Sequence, residues 1–422
     1  MRVLVAAFAC RPGGGSEPGA GWALAAGAAR AGNDVVLVTQ PRHRVSIEGA
    51  ISADPELAGL HPYYVGLPAG VMEQWDRVLG LRGLQLYYLS WQIPLLLLAR
   101  RLHRSRPFDA AHHATMTNEW IPSGLSAAGL PALVLGPLGG GERVPPECRR
   151  YLGVRGRFTE RVRAIAAGGF HVAVARPSAR RATLLVAQNE EEAARLRRCD
   201  RPVVVSPNVF LDPTWFDPVS PDRGGTRTDG SLRATDAKAG RQGGPPRYRA
   251  LYVGRLVAWK GIHLALEAMR RPEADDWELH VYGHGAERRR AEAKIRRWGL
   301  AERVVLHEPV PRHEVRDLMV HADALLYPSM REAAGWVVAE ALAVGCPVVC
   351  LEIGGPPLLV GTGGTTVPIC GDVPGNLAQA VAATVGQPRR VVRWGDDRAA
   401  GLVQGWYERA TGRAGVVARP VA

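Results

Sequence analysis

The feature that most constrains this chain is a regular alternation of short apolar runs with alanine- and arginine-rich stretches. The first runs predict a strand at 2–8, a glycine-rich turn, a helix through Arg30 and a second strand at 34–39. Strands that alternate with helices in this way are typical of a parallel, doubly wound α/β sheet. Further strands are predicted at 132–136, 184–188 and 203–206.

A polar segment at 212–247 interrupts this alternation, which then restarts. The segment is rich in Gly, Pro, Ser, Thr and Asp and has no apolar period, so we interpret it as a linker or flexible loop. The sequence therefore predicts two Rossmann-like domains, at 1–211 and 248–390, and a C-terminal tail or helix at 391–422 that could cross back to the first domain. A single large sheet is disfavoured, because so long a polar break is uncommon within one compact domain. The second domain has predicted strands at 248–253, 278–282, 304–307, 324–327 and 347–351.

The chain is strongly basic, with 53 Lys and Arg against 40 Asp and Glu and a net charge of +13. Such a surface attracts phosphates, anionic membranes or acidic substrates. Nucleic acid is not an expected partner, because no zinc-finger or aromatic-rich RNA-binding pattern is present. The six cysteines lack disulfide or metal-ligand spacing, which favours reduced thiols in the cytoplasm. The uncharged run at 83–99 is shorter than a membrane span and is interpreted as a buried or interfacial helix.

Two acids mark the strongest candidate site, at 331–347. Glu332 and Glu340 flank the start of a predicted helix, where backbone N–H groups near Gly335 and Trp336 suit an anionic or hydroxyl-rich ligand. Glu332 would accept hydrogen bonds from sugar hydroxyls, and Glu340 would bind a ribose diol. The alternative is that both are ordinary helical acids, one solvated and one favoured by the helix dipole.

Arg255 and Lys260 form a second candidate site, directly after the predicted strand at 248–253. Doubly wound sheets bind ligands at the carboxyl ends of their strands, and two cations there suit a diphosphate. They would stabilise a leaving group as its negative charge grows. The alternative is that they are two surface cations of a basic protein, although Lys260 is one of only three lysines.

The first half offers weaker candidates. Gly14 and Gly15 lie in a glycine-rich loop that permits close approach of a ligand, but the loop lacks the GxGxxG register expected of a nicotinamide dehydrogenase. His112 and His113 end a strand-like stretch and would face opposite sides of it. One of them could line a cleft between the domains while the other is buried; the alternative is that neither contacts a ligand. No motif calls for a metal ion.

Several segments together resemble the family-four retaining, nucleotide-sugar-dependent glycosyltransferases of the GT-B fold. They are GRLVAWKG at 254–261, VYGHG at 281–285, YPS at 327–329 and the acid pair within EAAGWVVAEALAVGCPVV at 332–349. The glycine-rich loop and DAAHH at 109–113 match more loosely. The resemblance implies two Rossmann-like domains facing across a cleft and a hexosyltransferase that uses a nucleotide sugar, UDP or GDP, as co-substrate. No metal and no further cofactor are implied.

The resemblance also implies a mechanism. Arg255 and Lys260 would bind the donor diphosphate and stabilise its departure, and Glu332 would hold hydroxyls of the transferred sugar. The acceptor hydroxyl would attack from the face that the diphosphate leaves, with a phosphate oxygen taking the proton. Anomeric configuration would be retained, and closure of the two domains would exclude water.

The resemblance implies further donor contacts in both domains. Glu340 would bind the ribose, and Gly335 and Trp336 would contribute backbone contacts to the donor. Gly14 and Gly15 would approach the phosphates from the first, mainly acceptor-binding, domain.

The histidines and one loop position depart from the family pattern. A histidine, His113 in preference to His112, would approach the reacting sugar. Many relatives space two histidines one residue apart, whereas these are adjacent. Many also have an aromatic residue where this chain has Ala334, which would affect sugar selectivity rather than phosphate binding.

The acceptor is left open by the sequence. Six arginines within 149–163, together with the apolar segment 84–98, could dock on anionic lipid at the inner membrane face and serve a lipid-linked or envelope-glycan acceptor. The alternative is a solvated basic helix beside a buried one, with a soluble acceptor such as a secondary metabolite. Two other functions remain: a sugar-nucleotide epimerase of the same fold, and a transferase-like scaffold without turnover.

Overall fold

The computed structural model describes residues 1–67, 69–116, 121–170, 175–217 and 248–413. Within them the chain divides into two compact units. The first unit comprises 1–142, 161–212 and the C-terminal residues from 394, and the second comprises 143–160 and 213–393. Most of the predicted linker, 218–247, lies outside the described residues.

The unit boundaries differ from the predicted domains at 143–160, which were predicted within the first domain but pack in the second unit. The physical reason is apolar burial. Cys148, Tyr151 and Leu152 belong to a 3-10 helix and are buried in the same hydrophobic core as Leu256 and Ile262.

The first unit contains a seven-stranded parallel sheet with strand order β3-β2-β1-β4-β5-β6-β7. Its strands are β1 Arg2–Ala6, β2 Asp34–Thr39, β3 Leu60–Tyr64, β4 Ala110–His113, β5 Leu133–Leu138, β6 Leu184–Ala187 and β7 Val203–Val205. The order reverses between β1 and β4, and this reversal is the point where doubly wound sheets bind ligands.

The second unit contains a six-stranded parallel sheet with order β10-β9-β8-β11-β12-β13. Its strands are β8 Tyr248–Val253, β9 Trp277–Tyr282, β10 Val304–His307, β11 Ala324–Tyr327, β12 Val348–Leu351 and β13 Gly364–Val367. Here the order reverses between β8 and β11. Two parallel, helix-flanked sheets confirm the predicted α/β class.

Helices cover the faces of both sheets. In chain order they are α1 Ser16–Arg30, α2 Arg44–Ala53, α3 Ala69–Ser105, α4 Gly153–Phe170, α5 Arg176–Ala179, α6 Glu190–Leu196, α7 Ile262–Ala268, α8 Arg288–Arg297, α9 Arg312–His321, α10 Trp336–Ala343, α11 Pro356–Val360, α12 Val373–Ala382 and α13 Ala399–Thr411. Short 3-10 helices lie at Pro41–His43, Pro55–Leu57, Gly124–Ala127, Pro146–Leu152, Arg197–Cys199, Pro213–Phe216, Ala258–Lys260, Pro272–Ala274 and Asp396–Arg398.

Helix α3 contains the uncharged run that the sequence predicts as a buried or interfacial helix. Trp91 and Leu95 are buried in the core of the first unit, whereas Leu86, Ile93 and Leu97 are 60–64% exposed on another face of the helix. In the part of the chain that the structure describes, no helix is both long enough and apolar enough to cross a membrane.

Helix α13 packs against α1 in the first unit. The contact is close: a Cβ atom added to Gly27 would lie 2.8 Å from the Cβ atom of Ala399. Trp406 and Tyr407, which the sequence places on a C-terminal helix, are buried on α13.

Candidate active site

The candidate site of the second unit lies where β8 and β11 end side by side. The loop after β8 leads through Gly254 to Lys260, and the loop after β11 leads through Ser329 to Glu332. Because the carboxyl ends of parallel strands meet at one edge of a sheet, residues 72 positions apart come into contact there.

Lys260 and Glu332 form an ion pair, with Lys260 Nζ donating to Glu332 Oε2. The Tyr327 hydroxyl donates to the same carboxylate oxygen at 2.5 Å and accepts from Lys260 Nζ at 3.0 Å. Ser329 Oγ lies 3.4 Å from that oxygen. The side chains of Lys260 and Glu332 retain only 17% and 16% of their exposure. The structure therefore brings two of the predicted site residues together in a compact polar cluster.

The cluster holds Glu332 in its charged form. Burial alone would raise the pKa of Glu332, but the charge of Lys260 and hydrogen bonds from Lys260, Tyr327 and Ser329 together bring the pKa below its usual value. Burial, followed by the nearby Glu332 carboxylate, raises the pKa of Tyr327 well above its ordinary range. Tyr327 thus remains a neutral hydrogen-bond donor.

Glycine fixes the backbone beside this cluster. Gly261 follows Lys260 with a φ of 80°, and a Cβ atom there would lie 1.9 Å from the carbonyl oxygen of Pro328. Only glycine lets the two loops approach this closely. Gly335 precedes α10 with a φ of 90°, in the left-handed region, and Trp336 is the first residue of that helix.

Glu340 lies about one turn along α10 and is buried against Arg312, the first residue of α9. Arg312 Nε donates to Glu340 Oε1 at 2.9 Å. The guanidinium carbon of Arg312 lies 5.0 Å from the ring centre of Trp215 and 5.9 Å from that of Trp336. Glu340 is thus not the solvated helical acid of the alternative interpretation.

Arg255 is exposed and lies at the start of the loop that follows β8. Among the described residues, it makes no ion pair. It is therefore placed at the predicted edge of the sheet but does not join the Lys260–Glu332 cluster.

The glycine-rich loop of the first unit joins β1 to α1. Gly14 is buried and its N–H donates to the carbonyl oxygen of Arg11 at 3.1 Å, so this donor is already used within the loop. Gly15 is the N-cap residue of α1, in an extended conformation. The carboxylate of Glu17, in the first turn, accepts from the backbone N–H of Met116 at 3.1 Å, and burial raises the pKa of Glu17.

His112 and His113 face opposite sides of β4, as predicted, but both are fully buried. His112 Nε2 donates to the carbonyl oxygen of Gly136 at 2.8 Å, so its Nδ1 accepts from the Tyr407 hydroxyl at 3.0 Å. Burial lowers the pKa of His112 to about 4.

His113 bonds Ser123 Oγ at 2.6 Å and the Tyr88 hydroxyl at 3.0 Å, and burial lowers its pKa to about 3. Both rings pack inside the first unit as neutral, hydrogen-bonded groups, and His113 also lines a small cavity with Tyr88 and Ser123. That one of the two histidines approaches the reacting sugar stays a prediction.

The sequence interpretation assigned no role to several residues that the structure places at these sites. Tyr327 and Ser329 were signalled by their position at the end of a predicted strand, within the YPS segment. Arg312 and Trp215 gave no signal, because Arg312 lies 28 positions from its partner Glu340 and 97 positions from its partner Trp215.

The C-terminal part of the chain matches a known family. Residues 237–395 match the family model described as glycosyl transferases group 1. The chain is 33% identical over 246 residues to the D-inositol 3-phosphate glycosyltransferase of Xylanimonas cellulosilytica, a match that covers 56% of each protein. The matched part thus spans about half the length of this curated relative.

Two solved structures show the fold over nearly the whole chain. One is WaaG, a glycosyltransferase involved in lipopolysaccharide biosynthesis, at 19% identity and a TM-score of 0.54, covering 97% of this chain and 100% of WaaG. The other is Anabaena HepE in complex with UDP, at 16% identity and a TM-score of 0.53, covering 97% and 96%. The fold is therefore that of the GT-B glycosyltransferases. The predicted resemblance is confirmed in two respects: residues 237–395 match the glycosyl transferases group 1 model, and the chain has the predicted fold.

Proposed function

We propose that this protein is a retaining, metal-independent glycosyltransferase that moves a hexosyl group from a nucleotide-diphosphate sugar, UDP or GDP, to an acceptor hydroxyl. The observation that supports this most strongly is the Lys260–Tyr327–Glu332 cluster at the reversal point of the second sheet. It lies within the region that matches the family model.

Each member of the cluster has a role in this proposal. An ammonium group has three N–H donors, and Lys260 uses two of them on Tyr327 and Glu332. The third would bind a donor phosphate, and Arg255, exposed nearby in sequence, would supply a second, bidentate contact. Glu332, held charged, would accept from hydroxyls of the transferred sugar.

In the proposed reaction the bond between the anomeric carbon and the donor phosphate oxygen breaks, and a bond from that carbon to the acceptor oxygen forms. The acceptor attacks from the face that the diphosphate leaves, and its proton passes to a phosphate oxygen. Lys260 stabilises the charge that develops on the diphosphate. Gly335 and Trp336 would contact the donor through the backbone, and Gly14 and Gly15 stay predicted phosphate contacts.

Nucleotide binding is the first test. Calorimetry with UDP, GDP, TDP and ADP, in EDTA and again with magnesium, should show one preferred nucleotide whose affinity does not depend on metal. Lys260→Met should weaken that binding at least about tenfold, the loss of one charge-assisted contact. Lys294→Met, a control on α8, should not. If no nucleotide binds, or Lys260→Met has no effect, the transferase-like scaffold becomes the better explanation.

Turnover separates the enzyme classes. Incubation with the sugars of the preferred nucleotide and a panel of acceptors should give a glycoside whose anomeric proton coupling matches that of the donor. An inverted coupling would contradict the retaining mechanism. An epimerised nucleotide sugar formed without acceptor would instead establish the epimerase alternative.

We further propose that the first unit contacts an anionic membrane surface, which would favour a lipid-linked acceptor over a soluble metabolite. The support is the exposed apolar face of α3, formed by Leu86, Ile93 and Leu97. Arg100, three residues after Leu97, and Arg104, four residues after Arg100, are exposed and continue the same helix face. Arginines that extend an apolar helix face suit an anionic headgroup layer.

Vesicle flotation tests this contact. The protein should float with phosphatidylglycerol vesicles and much less with phosphatidylcholine vesicles. The double variant Ile93→Gln/Leu97→Gln should lose flotation, whereas Val45→Gln, an exposed apolar control on α2, should keep it. Equal flotation of the double variant would exclude α3 as the docking face.

A further inference from the structure

Arg312 lies outside the Lys260–Glu332 cluster and contacts both a buried carboxylate and two tryptophan rings. Its Nε bonds a buried carboxylate, Glu340, while its guanidinium lies over the rings of Trp215 and Trp336. Trp215 is itself buried, in the 3-10 helix Pro213–Phe216, which contacts α10. Three separate stretches of the second unit thus meet around one arginine side chain.

This arrangement restricts how Arg312 can move. A guanidinium is planar and stacks on aromatic faces, so the indole of Trp215 holds the plane of the arginine. The hydrogen bond from Nε then sets the orientation of the Glu340 carboxylate. A lysine would carry the same charge but has no planar group to stack.

We propose that Arg312 is a positioning residue for ribose recognition: stacked on Trp215, it orients the Glu340 carboxylate toward the ribose diol of the bound nucleotide. The inference rests on the proposed function, together with the ribose contact that the family resemblance implies for Glu340. It adds that residues 213–216, within the predicted linker segment, are part of the donor-binding apparatus.

The consequence is measurable as discrimination between ribose and deoxyribose. A hydrogen bond to a charged group corresponds to about a 10- to 100-fold preference for the ribonucleotide. If Arg312 only stabilises the fold, its replacement weakens both nucleotides equally. If it positions Glu340, the preference itself disappears while binding of the deoxynucleotide is little changed.

The experiment compares dissociation constants of UDP with 2′-deoxy-UDP and 3′-deoxy-UDP, and of GDP with the same two analogues, on the full chain. Arg312→Gln should reduce the preference to below about threefold, and Glu340→Gln should do the same. The double variant should add nothing further, since both changes remove one interaction. Arg316→Gln, one turn along α9, is the matched control and should keep the wild-type ratio.

The variant Arg312→Lys controls for loss of folding, because lysine keeps the positive charge and most of the side-chain volume. It should also lose the preference, since the stacked plane is lost. Retention of the wild-type ratio in Arg312→Gln or Arg312→Lys would overturn the inference. A wild-type protein that binds nucleotide without preferring ribose would overturn it too, leaving the proposed function intact. A wild-type protein that binds no nucleotide would overturn the proposed function itself.

Discussion

Replacing Lys260 by methionine tests how the candidate site is held together. The change keeps most of the length of the side chain and removes its charge, so that of the partners described above Glu332 keeps Tyr327 and Ser329. Breaking a fully buried ion pair costs about 3–5 kcal/mol. Because the two side chains keep 17% and 16% of their exposure, we expect a cost below that range, about 2–3 kcal/mol at pH 7.

The pH dependence distinguishes this mechanism from a general packing defect. In the wild type the pKa of Glu332 is lowered, so its contribution to stability is present above the unfolded-state pKa and is lost as the pH falls through the folded-state pKa. Without Lys260, burial dominates and the pKa of Glu332 is raised. The variant then regains stability relative to the wild type as the pH falls from 7 to 5.

Urea denaturation at several pH values measures both effects. Adding Glu332→Gln to Lys260→Met should recover much of the loss, because no uncompensated carboxylate remains. Lys294→Met is the control: Lys294 is 3.7 Å from Glu267 and both are more exposed, so the cost should be below about 1 kcal/mol. A destabilisation that is independent of pH and unrelieved by Glu332→Gln would refute the reasoning.

Two further changes test the backbone and the buried histidines. Gly261→Ala should lower the free energy of unfolding, measured in urea, by at least about 3 kcal/mol, because the added Cβ would strike the Pro328 carbonyl oxygen. Gly299→Ala is the control and should cost about 1 kcal/mol, because Gly299 has a similar positive φ but open space around it. Equal costs would show that the two loops at Gly261 move apart. His112 and His113 both have lowered pKa values, so stability should fall as the pH drops below about 6.5, by about 1.4 kcal/mol per pH unit for each histidine. Because the pKa values of His43, His263 and His307 are also lowered, His112→Asn should reduce the total slope by about 1.4 kcal/mol per pH unit between pH 6 and pH 4.5. An unchanged slope would show that His112 does not contribute to the loss of stability.

Three strands of the second unit, two of which carry the candidate site, were predictable from short, mainly apolar runs. Residues 248–253, 304–307 and 324–327 are such runs, and the structure gives strands with these bounds. Two strands were missed. β3, Leu60–Tyr64, is an edge strand with a proline, and β13, Gly364–Val367, begins in glycine and threonine, so neither shows a continuous apolar run.

Contacts between distant segments were not predictable in the same way. The pairing of Lys260 with Glu332 follows from the order of strands in the second sheet. That order is implied by the alternation of strands and helices together with the resemblance to the GT-B family. The pairing of Arg312 with Glu340 depends on which turn of α9 faces α10. The burial of His112 depends on Tyr407, which is 295 positions away in the sequence. A contact between such distant residues cannot be predicted from a local sequence pattern.

The contact of α13 with α1 has a consequence for how the protein is made. Gly27 meets Ala399, and His112 bonds Tyr407, so the interior of the first unit is sealed by one of its last-synthesised helices. As the chain leaves the ribosome, the first sheet can form early but stays open on that side while the whole second unit is translated. The final packing of the N-terminal half therefore follows synthesis of the second unit. Nascent chains that stop before Ala399 would expose the face of α1 that packs against α13 to quality-control machinery.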